Sequence, residues 1–298
     1  MVTWPRLEVA TWSDTRDTLQ LWTQIVGKVR MVHAPPVNHW WHVTLHPSAR
    51  GLSTMAIPYA DGLFEVEFDF LAHELWIRTS HGQSRVVTLE PKTVAAFYAE
   101  VMESLTALGV PTTIHPVPNE VEHAIPFAED RTHRAYDGAA VQSYWRQLTR
   151  AGHVMNRARS EFTGKASPVH FFWGAMDLAY TRFSGRTAPP HPGGAPNCPP
   201  SVMREGYSHE LASCGFWPGG GAEGAFYAYA YPEPPGYRDW LIPLDDARYD
   251  TTLGEFLLPY EAVANSSDPD AVLATFLRST FLAADELAAW GEAVPRRP

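Results

Sequence analysis

Two hydrophobic periods alternate along this chain. Leu19, Trp22, Ile25, Val26 and Val29 recur at helical spacing behind Ser13 and Asp14, whose side chains can accept from the first free amides. Pro35-Pro36 ends that helix, and residues 39–45 read as a strand. Phe64-Glu-Val-Glu-Phe-Asp-Phe70 alternates apolar with acidic positions, the period of a strand with one wet face. Residues 75–79 and 85–89 follow as strands, and the turn residues Ser80-His-Gly-Gln83 between them predict an antiparallel meander. A second helix opens with Pro91, carries Val94, Phe97, Val101, Leu105 and Leu108 on one face, and stops at Gly109.

The same order is then written again. Asp137 can cap a helix bearing Val141, Trp145, Leu148, Met155 and Phe162, and Ser167-Pro-Val-His-Phe-Phe-Trp173 leads a strand running to about Phe183. Phe226-Tyr-Ala-Tyr-Ala-Tyr231 alternates strictly, 255–260 reads as a strand, and a last helix runs from Asp268-Pro269 to Gly291. Pro36-Val-Asn-His39-Trp-Trp aligns with Pro168-Val-His170-Phe-Phe-Trp when one residue is skipped. The expected fold is therefore α+β: two duplicated helix–antiparallel sheet–helix halves, packed about a pseudo-twofold axis or joined into one continuous sheet or barrel. The halves are 1–110 and 137–298, with a proline-rich linker at 111–136, in one compact unit.

The copies differ most at 184–224, where the second half holds a Gly- and Pro-rich insertion. Its counterpart, 47–63, is less than half as long. Long loops in compact chains tend to be functional or disordered, and Tyr207, Phe216 and Trp217 argue for a folded lid or pocket wall.

Composition narrows the function classes. A net charge of -10, with no basic run except Arg296-Arg297, argues against binding nucleic acid through its phosphates. Two cysteines, Cys198 and Cys214, make no disulfide framework. No apolar run approaches the roughly 18 residues that span a bilayer, and no secretory leader is visible. The expectation is a soluble cytoplasmic protein of unknown oligomeric state. Phosphate-loop, dinucleotide and nucleophile-elbow motifs are missing.

Candidate chemistry gathers at the insertion. Ser208-His209-Glu210 with Cys214 is the densest reactive cluster, and a short helix at 203–212 would set Glu210 and Cys214 on one face. His39 and His42, three apart on a strand, point to opposite faces and make a poor ligand pair. His39 and His170 occupy equivalent places in the halves; with His209 they offer three nitrogens to a divalent metal, leaving a position open. Catalytic candidates are thus His209, Glu210 and His170, and metal candidates His39, His170 and His209. Arg182, Arg204, Tyr229 and Trp217 are the substrate-binding candidates. Tyr227, Tyr229 and Tyr231 share one strand face, which suits a cavity apolar in body and polar at its tips.

At Pro36-Val-Asn-His-Trp-Trp-His42, Ser167-Pro-Val-His-Phe-Phe-Trp-Gly174, Pro189-Pro-His-Pro-Gly-Gly194 and Tyr207-Ser-His-Glu210 with Cys214-Gly-Phe-Trp-Pro-Gly-Gly220, the chain resembles an uncharacterised bacterial family of unknown function. The resemblance spans nearly the whole chain and implies a single full-length module. It carries no activity, cofactor or catalytic residue. The residues themselves favour an enzyme acting on a small molecule, with metal assistance one route. The alternatives are a non-catalytic small-molecule binder with an aromatic pocket and an interaction scaffold.

Overall fold

Each alternating stretch has one apolar face, and the helices on either side of it supply the surface that buries that face. A computed structural model describes residues 4–292; Arg296-Arg297 lies outside the described residues. The first half runs α1 (Val9–His33), β1 (His46–Pro47), β2 (Gly51–Ser53), β3 (Ile57–Tyr59), β4 (Gly62–Asp69), β5 (Glu74–Thr79), β6 (Ser84–Thr88) and α2 (Val94–Ala107). Its antiparallel sheet is ordered β1-β2-β4-β5-β6, with β3 also paired to β4. The second half runs α3 (Gly138–Ser160), β7 (His170–Phe172), β8 (Asp177–Thr187), α4 (Pro200–Gly206), β9 (His209–Trp217) and β10 (Ala225–Tyr231). It ends with β11 (Arg248–Asp250), β12 (Glu255–Pro259), α5 (Tyr260–Ala264) and α6 (Pro269–Leu287). Here the order is β11-β12-β10-β9-β8-β7, again antiparallel.

The chain is therefore α+β, with two similar halves built on six-stranded sheets. Among the described residues neither sheet closes into a barrel. The sheets meet edge to edge, where the Leu45 amide donates to the Phe171 carbonyl at 2.9 Å and the Phe171 amide returns the bond at 2.7 Å. One hydrophobic core runs through both halves, from Trp22, Phe68 and Phe97 to Leu148, Phe216 and Phe276.

Caps set the helix starts. Asp137 accepts from the amides of Ala139 and Ala140, Thr93 from Ala96, and Asp268 from Ala271. The first helix departs from expectation. It begins at Val9 rather than behind Ser13, because the Val9 amide finds the Ala222 carbonyl at 2.8 Å instead of a local cap. Its middle, Leu21 to Val29, is buried on every side, so polar residues there must find partners inside the protein.

Two further expectations change. Residues 39–45 are not a strand. His42 Nδ1 accepts from the Val37 amide at 3.1 Å, folding the chain into a tight 3₁₀ turn (Asn38–Trp40) in which His39 and Trp40 have φ of 60° and 61°. Two consecutive left-handed residues with side chains are a strained arrangement that the surroundings must hold. The stretch 184–224 is also less of an insertion than its composition implies. The strand β9 crosses it as a central member of the sheet, so only 188–208 and the short turn at 218–224 leave the sheet. The helix there ends at Gly206, and Glu210 and Cys214 share a strand face instead of a helix face.

Strand alternation sorts the second sheet. The even positions, including Leu178, Tyr180, Cys214, Phe216 and Phe226, are buried beneath α3 and α6. The odd positions, including Asp177, Ala179, Ser213, Tyr227 and Tyr229, face the opposite side, beneath the 188–208 segment.

Candidate functional site

The site begins with two polar residues buried on α1. Gln24 brackets Asn119: its amide nitrogen donates to the Asn119 carbonyl at 2.8 Å, and its oxygen accepts from the Asn119 amide at 2.8 Å. Lys28, 1% exposed, donates to the Val117 carbonyl at 2.9 Å and to Asn119 Oδ1 at 2.5 Å. Burial pulls its ammonium down to about 8, and among the described residues no carboxylate pairs with it. These bonds pin the irregular segment between α2 and α3 and bring the next residue, Glu120, which is exposed, to the border of two cavities. Glu120 sits at φ 59°, and its amide donates to the Pro196 carbonyl at 2.8 Å, tying the segment to 188–208. Gly174 makes room for the carboxyl: a Cβ there would lie 2.0 Å from Glu120 Oε1.

The second carboxyl is Asp177, at the start of β8. Tyr227 Oη donates to it across the intervening strand. Gly215 opposes Tyr227 in register and allows that crossing, since a Cβ there would fall 2.5 Å from the Tyr227 ring and hydroxyl. Beside it Tyr229 shares a 2.7 Å hydroxyl–hydroxyl bond with Tyr207, which follows α4. Tyr231 donates to the Pro189 carbonyl at 2.9 Å. The tyrosine face of β10 thus holds 188–208 over the sheet as a lid.

Between them lie two adjoining cavities. The outer one, about 610 Å³, is lined by Lys28, Met31, Val43, Trp173 and the lid residues Pro199 and Val202, among others. The inner chamber, about 260 Å³, is bounded by Trp41, Phe183, Ser213, Tyr207, Tyr227 and Tyr229, among others. Trp40, Phe172, Cys198, Glu120 and Val202 border both. A larger groove, about 820 Å³, lies between α3 and α6, but its ion pairs Arg150–Asp270 and Arg278–Glu161 are already closed within the protein.

The two carboxyls differ in environment. Glu120 is exposed and borders both cavities, although protein crowds around its carboxyl. No hydrogen bond or ion pair reaches its carboxyl among the described residues, and burial, then the charge of Asp177, raises it to about 7. Asp177 is pushed up by burial to about 6, with the Tyr227 hydroxyl opposing that rise. Glu255, whose place on β12 continues the row of Tyr229, is also raised to about 7, chiefly by burial. No Lys or Arg borders the inner chamber among the described residues.

The residues expected from sequence fall in several places. Tyr229 lines the inner chamber. His39 borders it, with Nδ1 donating to the Gly206 carbonyl at 3.0 Å and Nε2 accepting from Lys165 at 3.4 Å, so both nitrogens are engaged. His209 stands beside it, ring centroids 5.6 Å apart, its Nδ1 3.0 Å from the Ser208 hydroxyl. His170 is 1% exposed near Trp41, bonded through Nδ1 to the Thr44 hydroxyl at 3.2 Å, and burial pulls it down to about 3. The histidine it meets from the first half is His46, at 6.2 Å between rings, and not His39. These three histidines therefore form no ligand set, and among the described residues no cluster of three or more His, Cys, Asp or Glu is arranged to hold a metal ion.

Glu210 points to the other sheet face, where it accepts from Ser184 at 2.9 Å and Arg186 at 2.8 Å. Arg182, 3% exposed, donates to the Ala158 carbonyl in α3 at 2.9 Å and lies over Phe281. Arg204 is exposed on α4, and Trp217 covers Gly219 and Gly220, away from the cavity. Cys214 is buried, and its thiol is pushed up to about 11, the reverse of an activated nucleophile. Lys28, Glu120 and Asp177 were not singled out by sequence. A buried Gln and Lys on an otherwise apolar helix face, at 24 and 28, were the available signal.

The chain belongs to a family of unknown function, DUF5996, which matches residues 4–296. No curated protein matches it. No solved structure matches it either.

Proposed function

We propose that this protein is an enzyme that acts on a small molecule by proton transfer within the inner chamber, Asp177 serving as general base and Glu120 as general acid. The observation that carries this reading is the pair of carboxyls facing one aromatic chamber in unlike surroundings. Asp177 accepts from Tyr227, which favours its ionised form, and Glu120 has no donor to favour its own. Environments that separate two acids in this way assign the roles of base and acid. The strained backbones of Glu120, His39 and Trp40 border the same space, as strain at functional sites commonly does.

The test is a turnover screen of small metabolites with the wild type, Asp177→Asn and Glu120→Gln. A substrate turned over by the wild type should lose about 10²–10⁴ in rate in either variant. Its kcat/KM should follow a bell with its top between the values of about 6 and 7 at which the pair titrates. Turnover that persists in Asp177→Asn overturns the assignment. The second reading is a non-catalytic binder, favoured by the aromatic walls and the 260 Å³ interior. It predicts saturable binding of a compound that no form of the protein converts.

Direct acid–base chemistry takes the place of the metal route here, because the three histidines do not converge into a ligand set. Two unbonded cysteines support a reducing, cytoplasmic setting. The net charge of -10 supports a small-molecule partner over nucleic acid. No described helix is long and apolar enough to cross a membrane.

A further inference from the structure

We infer that the ligand of the inner chamber is a small organic cation, an alkylammonium or quaternary ammonium group, held between the carboxyls of Glu120 and Asp177 and the surrounding aromatic faces. This deepens the reading above and rests on the same chamber.

Charge is the first argument. Two carboxyls face this space, and no Lys or Arg lines it among the described residues. Lys28 is spent on Val117 and Asn119, while Lys165 stays at the chamber's edge, bonded to His39 and 5.5 Å from the ring centroids of Trp41 and Phe183. The charge of Asp177 acts unfavourably on Glu120, a like-charge repulsion that an incoming cation relieves. An anionic ligand would meet both carboxyls, and a neutral one would leave the repulsion in place.

The walls are the second argument. Trp40, Phe172, Tyr227 and Tyr229 line the chamber with the carboxyls, and aromatic faces attract cations, most strongly in a desolvated site. A polar anion site would use amides and guanidinium groups instead. Size is the third. The inner chamber, 260 Å³, holds the volume of about nine waters, which suits a compact ammonium head. The outer cavity, 610 Å³ and lined by Met31, Val43, Trp173 and Val202, suits an apolar tail.

The experiment is calorimetric titration of the full chain with butylammonium, tetramethylammonium, tert-butanol and pivalate. The cations should bind at least about tenfold more tightly than the neutral and anionic probes of similar shape. Asp177→Asn should weaken cation binding by about tenfold or more, and Glu120→Gln should weaken it in the same direction. Circular dichroism and melting of both variants separate loss of binding from loss of fold, and the variant that folds decides. Equal binding of tert-butanol or pivalate, or cation binding indifferent to both substitutions, overturns the inference. Pivalate binding that disappears in Trp40→Ala would overturn the cation alone and keep the chamber as the small-molecule site. Silence from all four probes would count against the cation, while a substrate from the metabolite screen sensitive to Asp177→Asn would keep the acid–base reading.

Discussion

At the scale of single residues, the site depends on side chains that are absent as much as on those present. Gly174 leaves the space that Glu120 occupies, and Gly215 leaves the space that Tyr227 crosses to reach Asp177. Gly174→Ala should destabilise the protein by about 1–3 kcal/mol through overpacking against the Glu120 carboxyl. In a Glu120→Ala background most of that penalty should vanish, because the clashing atoms are gone; denaturant unfolding of the four proteins measures the coupling. Equal penalties in both backgrounds would mean the glycine matters for another reason. Lys28→Met keeps the apolar stem but strips the donor from Val117 and Asn119, and should lower stability by about 1–3 kcal/mol. The tyrosine alternation of β10 was legible in sequence because period two is a local signal. Glu120 and Asp177 were not, since their importance arises from what faces them across the fold. Gly215 fell there within the Gly- and Pro-rich insertion read as a lid or pocket wall, although it lies in the middle of a strand.

At the scale of elements, the lid is the part held least firmly. No residue of α4 is buried, and 188–208 is fastened by the Tyr207–Tyr229 and Tyr231–Pro189 bonds, the His39–Gly206 bond and the backbone of Glu120. Few buried contacts and several separate polar ties describe a unit that opens without global unfolding. Limited proteolysis of the native protein should therefore cut first within 188–208, and a ligand of the chamber should slow that cut. First cleavage in the segment between α2 and α3 would contradict this ranking, because Gln24 and Lys28 anchor that segment in the core. The order of elements was readable from hydrophobic period in both halves. The turn at 38–40 was not, because a run of His, Trp and Val has strand character and only the His42 bond to Val37 folds it back. The same misreading made His39 the apparent twin of His170.

At the scale of the whole molecule, burial of titratable groups on both sides of neutrality shapes stability against pH. His46 and His170 stay neutral in the folded protein down to about 4 and 3, whereas the unfolded chain protonates them below their ordinary 6.5. The unfolded state thus binds more protons, and stability falls as pH drops from about 6.5, by up to about 1.4 kcal/mol per pH unit for each histidine. Urea unfolding of His170→Asn, which retains a polar partner for Thr44, should show a shallower acid limb than the wild type. The carboxyls act with the opposite sign. Glu120 and Asp177 hold their protons to higher pH when folded, so stability falls as pH rises from their ordinary values toward about 7 and 6. Glu120→Gln should therefore melt higher than the wild type at pH 8 and show no such gain at pH 4, the pattern of a group kept at a cost in stability. The duplication and the α+β class were legible because they repeat a pattern over the whole chain. The chamber was not, because it lies between segments that the sequence keeps far apart. The most direct measurement sets Asp177→Asn beside Glu210→Gln on one substrate of the wild type. The account predicts that Asp177→Asn loses turnover while Glu210→Gln, on the opposite sheet face, keeps it. Lost turnover in Glu210→Gln with Asp177→Asn still active would contradict it.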